Sequence, residues 1–378
     1  MYFLIGADIV PTESNVKSFC SGNMSQIISD DLATLLNAAS YRIFNLEVPL
    51  TDNLKPIAKC GPNLCAPSTS INGYKTIGVD LLSLANNHIL DQGEQGFKST
   101  TTLLKNNGIN TVGGGDTLAK AAEPFVFLFG NKRIGIYACC EHEFSYASDV
   151  SPGANPYDSL CSFDAVEELK RIVDYVIILY HGGKEHYRYP SPLLQRICRK
   201  FVEKGADLVL CQHSHCIGCE ELYAGATIVY GQGNFLFDRS DSEYWKTSLL
   251  VKIDDQLQLS YIPLKKVNNG VSVASSDECD RIMLDFHKRS IELHENPELI
   301  MSKYDEYALK MVDYYLDSFK GKEGLLFKFF NKLSGNRLRS YEIKKKYTQN
   351  EILRLLNYVS CEAHSELLVR GMELKVNE

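Results

Sequence analysis

Short apolar runs alternate with amphipathic segments over roughly the first 275 residues of the chain. The apolar runs end in polar or glycine-rich turns, and the segments between them have helical spacing. This alternation is typical of an α/β domain. The predicted strands are Tyr2–Ile5, Arg42–Leu46, Val79–Leu84, Phe125–Phe129, Arg133–Cys139, Tyr175–Tyr180, Asp207–Leu210 and Thr227–Tyr230. The predicted helices are Ile27–Ala39, Gln95–Asn107, Phe163–Ile172 and Pro192–Lys204.

The pattern changes towards the C-terminal part of the chain. Leu249–Ile253 and Leu257–Ile262 are separated by three polar residues, which predicts an antiparallel hairpin. After about Asp277 the strand signals stop and glycines become rare. We therefore predict an α/β domain over residues 1–275 and a helical extension over 276–378. The predicted helices of the extension are Ile282–Glu295, Pro297–Phe319, Leu325–Leu333 and Tyr347–Glu373.

Charge adds a constraint on possible partners. The 378 residues include 40 Lys and Arg against 47 Asp and Glu, for a net charge of -7. Residues 1–279 hold 23 basic and 31 acidic side chains, whereas residues 280–378 hold 17 and 16. Binding to nucleic acid requires clustered Lys and Arg, so the acidic α/β part carries no strong nucleic-acid signal. Phosphate chemistry in this part would require metal ions or a local basic patch.

One basic stretch, Lys320–Lys346, lies within the helical extension. It holds nine Lys or Arg against Glu323 and Glu342, and three phenylalanines lie among the charges: Phe327, Phe329 and Phe330. A solvated helix face is one interpretation. A weak contact with a membrane or another polyanion is the alternative, because apolar and basic residues also alternate in interfacial helices.

The N-terminal sequence MYFLIGADIV has no basic region, no long apolar region and no small-residue cleavage site. No later segment reaches the roughly 18 apolar residues that a membrane-spanning helix requires. These patterns predict a cytoplasmic protein without a transmembrane segment.

Metal-binding types of side chain follow five of the predicted strands. In open α/β sheets the loops beyond the carboxyl ends of the strands form the binding crevice, so these clusters are expected to meet at one edge. The clusters are Asp8, Asn45-Leu46-Glu47, Asn86-Asn87-His88, His181-Gly182-Gly183 and Gln212-His213-Ser214-His215. Each alone has an ordinary structural explanation, such as a helix cap or a turn; their conjunction favours a metal site.

The mixture of side chains fits a centre with two divalent ions. Two ions roughly 3.5–4 Å apart need a bridging carboxylate, which Glu47 can provide, and flanking imidazole and oxygen ligands. Imidazole and carboxylate together suit Mn, Zn or Fe. His88 follows Asn87 directly and could protonate a leaving group, and Asp91, three residues on, could orient its ring.

In their order along the chain, these motifs resemble the CapA family of poly-γ-glutamate capsule biosynthesis, within the calcineurin-like metallophosphoesterase superfamily. The resemblance covers about residues 1–240 and includes Gly205-Ala206-Asp207 and Tyr230-Gly231-Gln232-Gly233-Asn234-Phe235. It implies a β-sandwich flanked by helices. It further implies that Glu47 bridges two metals, that His88 is the proton donor, and that the other ligands are Asp8 and His215 at one metal and Asn87, His181 and His213 at the other.

The chain departs from the superfamily pattern at three places. Val10 stands where a histidine usually follows the first aspartate, and Glu47 stands where phosphoesterases usually have aspartate. The last motif reads Gln212-His213-Ser214-His215 where relatives often have GHHPH.

Three functions remain open from the sequence. The first is a dinuclear metal-dependent hydrolase that cleaves a phosphoester or an amide bond of an anionic capsule polymer. The second is a non-catalytic, metal-containing component of capsule or surface-polymer biosynthesis. The third is a nucleic-acid phosphoesterase, for which the Lys320–Lys346 stretch is the sole sequence support.

Overall fold

A computed structural model describes residues 1–319, 324–360, 364–365, 368–369 and 372. The chain divides into two compact units, Met1–Pro297 and Glu298–Glu378. The strands are β1 Tyr2–Val10, β2 Tyr41–Leu46, β3 Leu81–Ser83, β4 Asn110–Val112, β5 Gly114–Gly115, β6 Phe125–Phe129, β7 Lys132–Cys140, β8 Gly153–Ala154, β9 Tyr175–His181, β10 Leu208–Gln212, β11 Glu220–Tyr223, β12 Ala226–Val229, β13 Asn234–Phe237, β14 Thr247–Asp254, β15 Leu259–Val267 and β16 Gly270–Val273. The helices are α1 Val16–Ser21, α2 Asp30–Ala38, α3 Ile71–Ile77, α4 Gly93–Asn106, α5 Leu118–Ala121, α6 Ser162–Ile172, α7 Pro192–Glu203, α8 Ser276–Glu295, α9 Pro297–Ser318, α10 Leu325–Leu333, α11 Arg337–Lys346 and α12 Gln349–Ser360.

The first of two large sheets has β1 near its centre. Its strand order is β16-β15-β14-β1-β2-β3-β4, and β13 also pairs with β1. The pairs from β1 to β4 are parallel, so their carboxyl ends lie at one edge of the sheet. Short apolar strands that are buried on both faces are typical of such parallel sheets.

The second large sheet has the order β11-β12-β10-β9-β7-β6, with β7, β9, β10 and β12 parallel. The two sheets share one hydrophobic core. Phe3 of β1 makes edge-to-face contacts with Phe127 and Phe129 of β6, at 5.6 and 4.9 Å between ring centroids. Burial of such aromatic side chains is a main source of stability in a two-layer fold.

The expected fold class is confirmed: the chain is α/β, with central sheets flanked by helices and a helical C-terminal region. The predicted hairpin is also present, since β14 and β15 pair antiparallel with Leu250 opposite Ile262. Sequence patterning missed some of the shorter elements, including β13 and α3, because a few residues give too little periodicity to recognise.

Helix α8 belongs to the first unit, although the sequence predicts it as the start of the helical extension. Ser275 and Glu278 form a capping box at its start. Phe286 is fully buried and lies 5.1 Å from Tyr261 of β15, between ring centroids. The helical segment expected from residue 276 therefore begins with a helix that belongs to the sheet unit.

In the second unit, α10 and α11 meet at the buried side chain of Asn331. Its Oδ1 accepts a hydrogen bond from the Arg339 backbone N–H (3.0 Å) and its Nδ2 donates to Asn336 Oδ1 (2.9 Å). The predicted helix Tyr347–Glu373 is present from Gln349 to Ser360, and much of its remainder lies outside the described residues, as do Lys320, Lys322 and Glu323.

Among the described residues, no helix is long and apolar enough to cross a membrane. The cytoplasmic location stays a prediction.

The packing of α8 gives a prediction for stability. We expect Phe286→Ala to lower the free energy of unfolding by about 3–5 kcal/mol, because it opens a cavity under α8. Chemical denaturation of the full chain measures this. Leu284→Ala, on the exposed side of the same helix, is the matched control and should change stability by less than about 0.5 kcal/mol. Equal effects of the two substitutions would contradict the packing of α8.

Candidate metal centre

The carboxyl ends of parallel strands from both large sheets meet at one place. Asp8 of β1 lies opposite Asn45 of β2, and Glu47 follows β2 directly. In the other sheet, His181 at the end of β9 lies opposite Gln212 at the end of β10. His213 and His215 follow β10, and Asn86 and Asn87 follow β3. The fold thus brings all six predicted ligands together.

The first ligand set consists of Asp8, Glu47 and His215, all of which are buried. Asp8 Oδ2 lies 3.7 Å from His215 Nδ1. The amide of Asn45 donates to Asp8 Oδ1 (2.7 Å) and thereby fixes the carboxylate. Asn234 Oδ1 lies 2.9 Å from His215 Nδ1 and holds the imidazole ring from β13.

The second set converges on one imidazole nitrogen. His181 Nε2 lies 3.1 Å from Asn87 Oδ1, 3.2 Å from His213 Nδ1 and 3.3 Å from Glu47 Oε1. Glu47 is therefore common to both sets, and the candidate ligand atoms of Glu47, His181 and His213 lie within 4.8 Å of one another, as do those of Asp8, Glu47 and His215. Imidazole, carboxylate and amide oxygen around one point form a donor set that suits a divalent transition metal.

Buried carboxylate oxygens without partners support this fit. Both Glu47 oxygens and Asp8 Oδ2 have no hydrogen-bond partner among the described residues, although both side chains are fully buried. Unpaired buried carboxylates are strongly unfavourable in a protein interior. A divalent cation between them would satisfy these oxygens, so the residues present fit a metal centre.

The backbone that carries the histidines adopts sparsely populated conformations. His213 and His215 have φ of 86° and 54°, in the left-handed region that residues other than glycine adopt uncommonly. Each such residue costs on the order of 1–3 kcal/mol, and such strain clusters at functional sites. Gly231 lets the neighbouring turn approach this loop, because a Cβ there would lie 2.7 Å from Cys216 O and from Ser214 Oγ.

Beside the ligand sets, His88 and Asp91 form the predicted pair. His88 Nδ1 donates to Asp91 Oδ2 (2.6 Å), since the buried carboxylate can only accept. Asp91 also accepts from the Leu64 backbone N–H (2.6 Å) and forms an ion pair with Lys59, whose side chain is 3% exposed. Lys59 Nζ lies 3.3 Å from His88 Nδ1, but both groups are donors, so this approach is not a hydrogen bond. The bond to Asp91 holds the His88 ring through Nδ1, and Nε2 makes no hydrogen bond to the described residues.

Burial shifts the acid–base properties of the ligands in opposite directions. Burial raises the pKa of Asp8 to about 7, and the nearby charge of Glu47 contributes to this shift. Burial raises the pKa of Glu47 to about 8. Burial also lowers the pKa of His215 to about 3 and lowers the pKa values of His181 and His213. Neutral imidazoles are ready to bind a metal, whereas the carboxyl groups must release protons to do so.

Sequence patterning did not identify three residues that shape the site. Lys59 lies in a long loop with no motif around it, so nothing in the sequence indicates its ion pair with Asp91. Glu143 accepts from Asn87 Nδ2 (2.7 Å). Trp245 lies 4.5 Å from His215 between ring centroids; it is the one tryptophan of the chain, which could have drawn attention to it.

Residues 8–239 match the family described as "Bacterial capsule synthesis protein PGA_cap". The chain belongs to this family. The matched segment covers more than half of the chain and contains every predicted ligand, together with His88 and Asp91. The CapA-like resemblance drawn from the motifs is therefore confirmed. Membership of the PGA_cap family assigns no role to any one of these residues.

Curated relatives of the PGA_cap type match at moderate identity. The "PGA biosynthesis protein CapA" of Bacillus subtilis (strain 168) is 28% identical over 54% of this chain and 55% of its own length. The "Capsule biosynthesis protein CapA" of Bacillus anthracis is 26% identical over 60% and 57%. A "Probable polyglutamine synthesis accessory protein" of Mycobacterium tuberculosis is 27% identical over 55% and 58%. The chain thus spans about half the length of the curated relatives it matches.

Solved structures overlap more loosely. The overlap with a hypothetical protein from Thermus thermophilus includes 71% of this chain and 100% of that protein, at 15% identity and a TM-score of 0.44. A "novel phosphatase" from Mycoplasma pneumoniae covers 71% of this chain and 94% of its own, at 14% identity and a TM-score of 0.44. Similarity at this level assigns no function to this chain.

The pKa shifts predict how the stability of the metal-free protein depends on pH. The unfolded chain has already released the Asp8 and Glu47 protons near pH 4, whereas the folded chain holds them up to about pH 7 and 8. The free energy of unfolding should therefore fall as the pH rises from about 7 to about 8.5. The buried histidines, whose pKa values are lowered by folding, oppose this decline near pH 7 and add little above about pH 7.5, where the unfolded imidazoles are mostly neutral.

Thermal unfolding in the presence of a chelator measures this effect. Glu47→Gln should reduce the decline, because one of the two protons is no longer lost. With saturating Mn²⁺ the trend should reverse, since protons then compete with the metal. A metal-free stability that stays constant over this window would contradict the raised pKa values.

Proposed function

We propose that this protein is a dinuclear metal-dependent hydrolase linked to capsule or poly-γ-glutamate polymer metabolism. The observation that supports it most is the pair of candidate ligand sets that share Glu47, with three buried carboxylate oxygens that have no hydrogen-bond partner among the described residues. In this proposal Asp8 and His215 hold one ion, Asn87, His181 and His213 hold the other, and Glu47 bridges them. Mn, Zn and Fe suit this donor set.

The protein residues around the centre provide orientation and proton transfer. When bound, the two ions would activate a water molecule as the nucleophile and offset negative charge on the substrate. His88 would give a proton to the leaving group from Nε2, because Nδ1 is held by Asp91. Lys59 forms an ion pair with Asp91 and balances the negative charge of this carboxylate.

A cavity of about 830 Å³ lies next to the centre and offers room for a substrate. Its lining includes Val10 and Val48, which follow Asp8 and Glu47 closely in the chain, and the charged residues Glu13, Asp238 and Arg239. The printed names of the relatives support a polyanionic polymer as the substrate, cleaved at a phosphoester or an amide bond.

Two alternatives compete with this proposal. The name "accessory protein" of the Mycobacterium tuberculosis relative supports a non-catalytic component of polymer biosynthesis in which the metal centre is structural. A nucleic-acid phosphoesterase ranks third, because residues 1–279 carry 31 acidic against 23 basic side chains.

Metal content is the first test. Protein that has been loaded with Mn²⁺ or Zn²⁺ and desalted should hold two ions per chain by mass spectrometry. Glu47→Gln should hold fewer ions, because it removes the shared negative ligand, while Glu295→Gln at an exposed position should retain both. Wild-type protein that binds no metal would contradict the proposal.

Turnover is the second test. We would assay aryl phosphoesters and γ-glutamyl oligomers with wild-type protein and with His88→Ala. Loss of the proton donor should lower kcat by roughly 10²–10⁴-fold and leave metal content unchanged. His294→Ala, an exposed histidine on α8, should keep full activity. Two bound metals without turnover of either substrate class would favour the non-catalytic alternative, and turnover that is unaffected by His88→Ala would remove this role from His88.

A further inference from the structure

Helix α10 of the second unit exposes an apolar face. Its opposite side is held by Asn331, which is buried and hydrogen-bonded to the residues that begin α11. At about 100° per residue, five apolar side chains occupy an arc of about 140° on the helix. These five side chains, which form the α10 face, are Leu325 (85% exposed), Leu326 (76%), Phe329 (60%), Phe330 (54%) and Leu333 (69%).

The charges beside this face are almost all positive. Between residues 324 and 347 there are seven Lys or Arg and one acidic residue, Glu342. Lys328 and Lys332 lie on α10 itself, and Lys344, Lys345 and Lys346 form the last turn of α11. All five lysines are exposed. Arg339 is offset by an ion pair with Asp317 (3.0 Å), but the others leave a strong local excess of positive charge in a chain whose net charge is -7.

We propose that the α10 face lies on the surface of an anionic lipid bilayer. Short helices with large apolar residues on one side and lysines at its border bind in the plane of the lipid headgroups. The leucines and phenylalanines would enter the boundary of the acyl chains, and the lysines would contact the lipid phosphates. The helix lies on the membrane and does not span it.

The combination of apolar exposure and charge distinguishes this partner from two others. A second copy of the chain would bring two strongly positive surfaces together, which is unfavourable. A nucleic acid would match the charge but would leave Leu325, Leu326 and Leu333 exposed to water, since leucine offers no stacking surface for bases. A lipid surface satisfies both features. This inference is independent of the proposed hydrolase activity.

Vesicle sedimentation of the full chain tests this surface. We would compare vesicles of phosphatidylcholine alone with vesicles that contain about 30% phosphatidylglycerol. The protein should bind the anionic vesicles, and binding should weaken with added salt. Lys328→Ala with Lys332→Ala should lower the affinity about thirty-fold, at about 1 kcal/mol per lysine. Leu326→Ser with Phe329→Ser should reduce binding at least as much, through the loss of inserted apolar area.

Leu128→Ser with Leu222→Ser is the matched control, because these leucines of the first unit are 73% and 72% exposed. This control should bind like wild type, and circular dichroism should show that all variants are folded. Binding that is absent, that does not require the anionic lipid, or that survives both α10 variants would overturn the proposal. Concentration-dependent dimers that the leucine and phenylalanine substitutions abolish, without vesicle binding, would assign the α10 face to a second copy instead.

Discussion

The burial of Asp8 and Glu47 beside three imidazoles is the constraint on which the site depends. Both carboxyl groups lose their hydration in the protein interior, which raises both pKa values, and the charge of Glu47 raises the pKa of Asp8 further. Protein groups compensate only part of this cost, since Asn45 satisfies one Asp8 oxygen and both Glu47 oxygens stay without a hydrogen-bond partner among the described residues. The ionised forms of Asp8 and Glu47 are therefore stable in this interior only if cations bind beside them.

Other features of the first unit serve the same geometry. Parallel pairing of β1 with β2, and of β9 with β10, places their carboxyl ends side by side. Packing of the two sheets through Phe3 and its aromatic partners brings these two edges together. His213 and His215, which contribute two of the imidazoles, have strained backbone conformations, and the surrounding structure must offset that strain.

How much of this could be predicted from the sequence depends on whether a residue lies at the end of a recognisable strand. Asp8, Glu47 and His213 each follow a recognisable strand, so the ends of the strands predict where these side chains meet. Lys59 could not be predicted, because it reaches Asp91 through the path of an irregular loop. The packing of α8 on β15 was also hidden, since an amphipathic helix does not reveal which surface it covers. The ligand roles themselves stay predictions.

Anomalous diffraction from crystals that contain Mn²⁺ tests the central claim most directly. We expect two peaks on opposite sides of the Glu47 carboxylate, roughly 3.5–4 Å apart, one near Asp8 and His215 and the other near Asn87, His181 and His213. Density without peaks at Glu47, or a metal bound by other residues, would contradict the account.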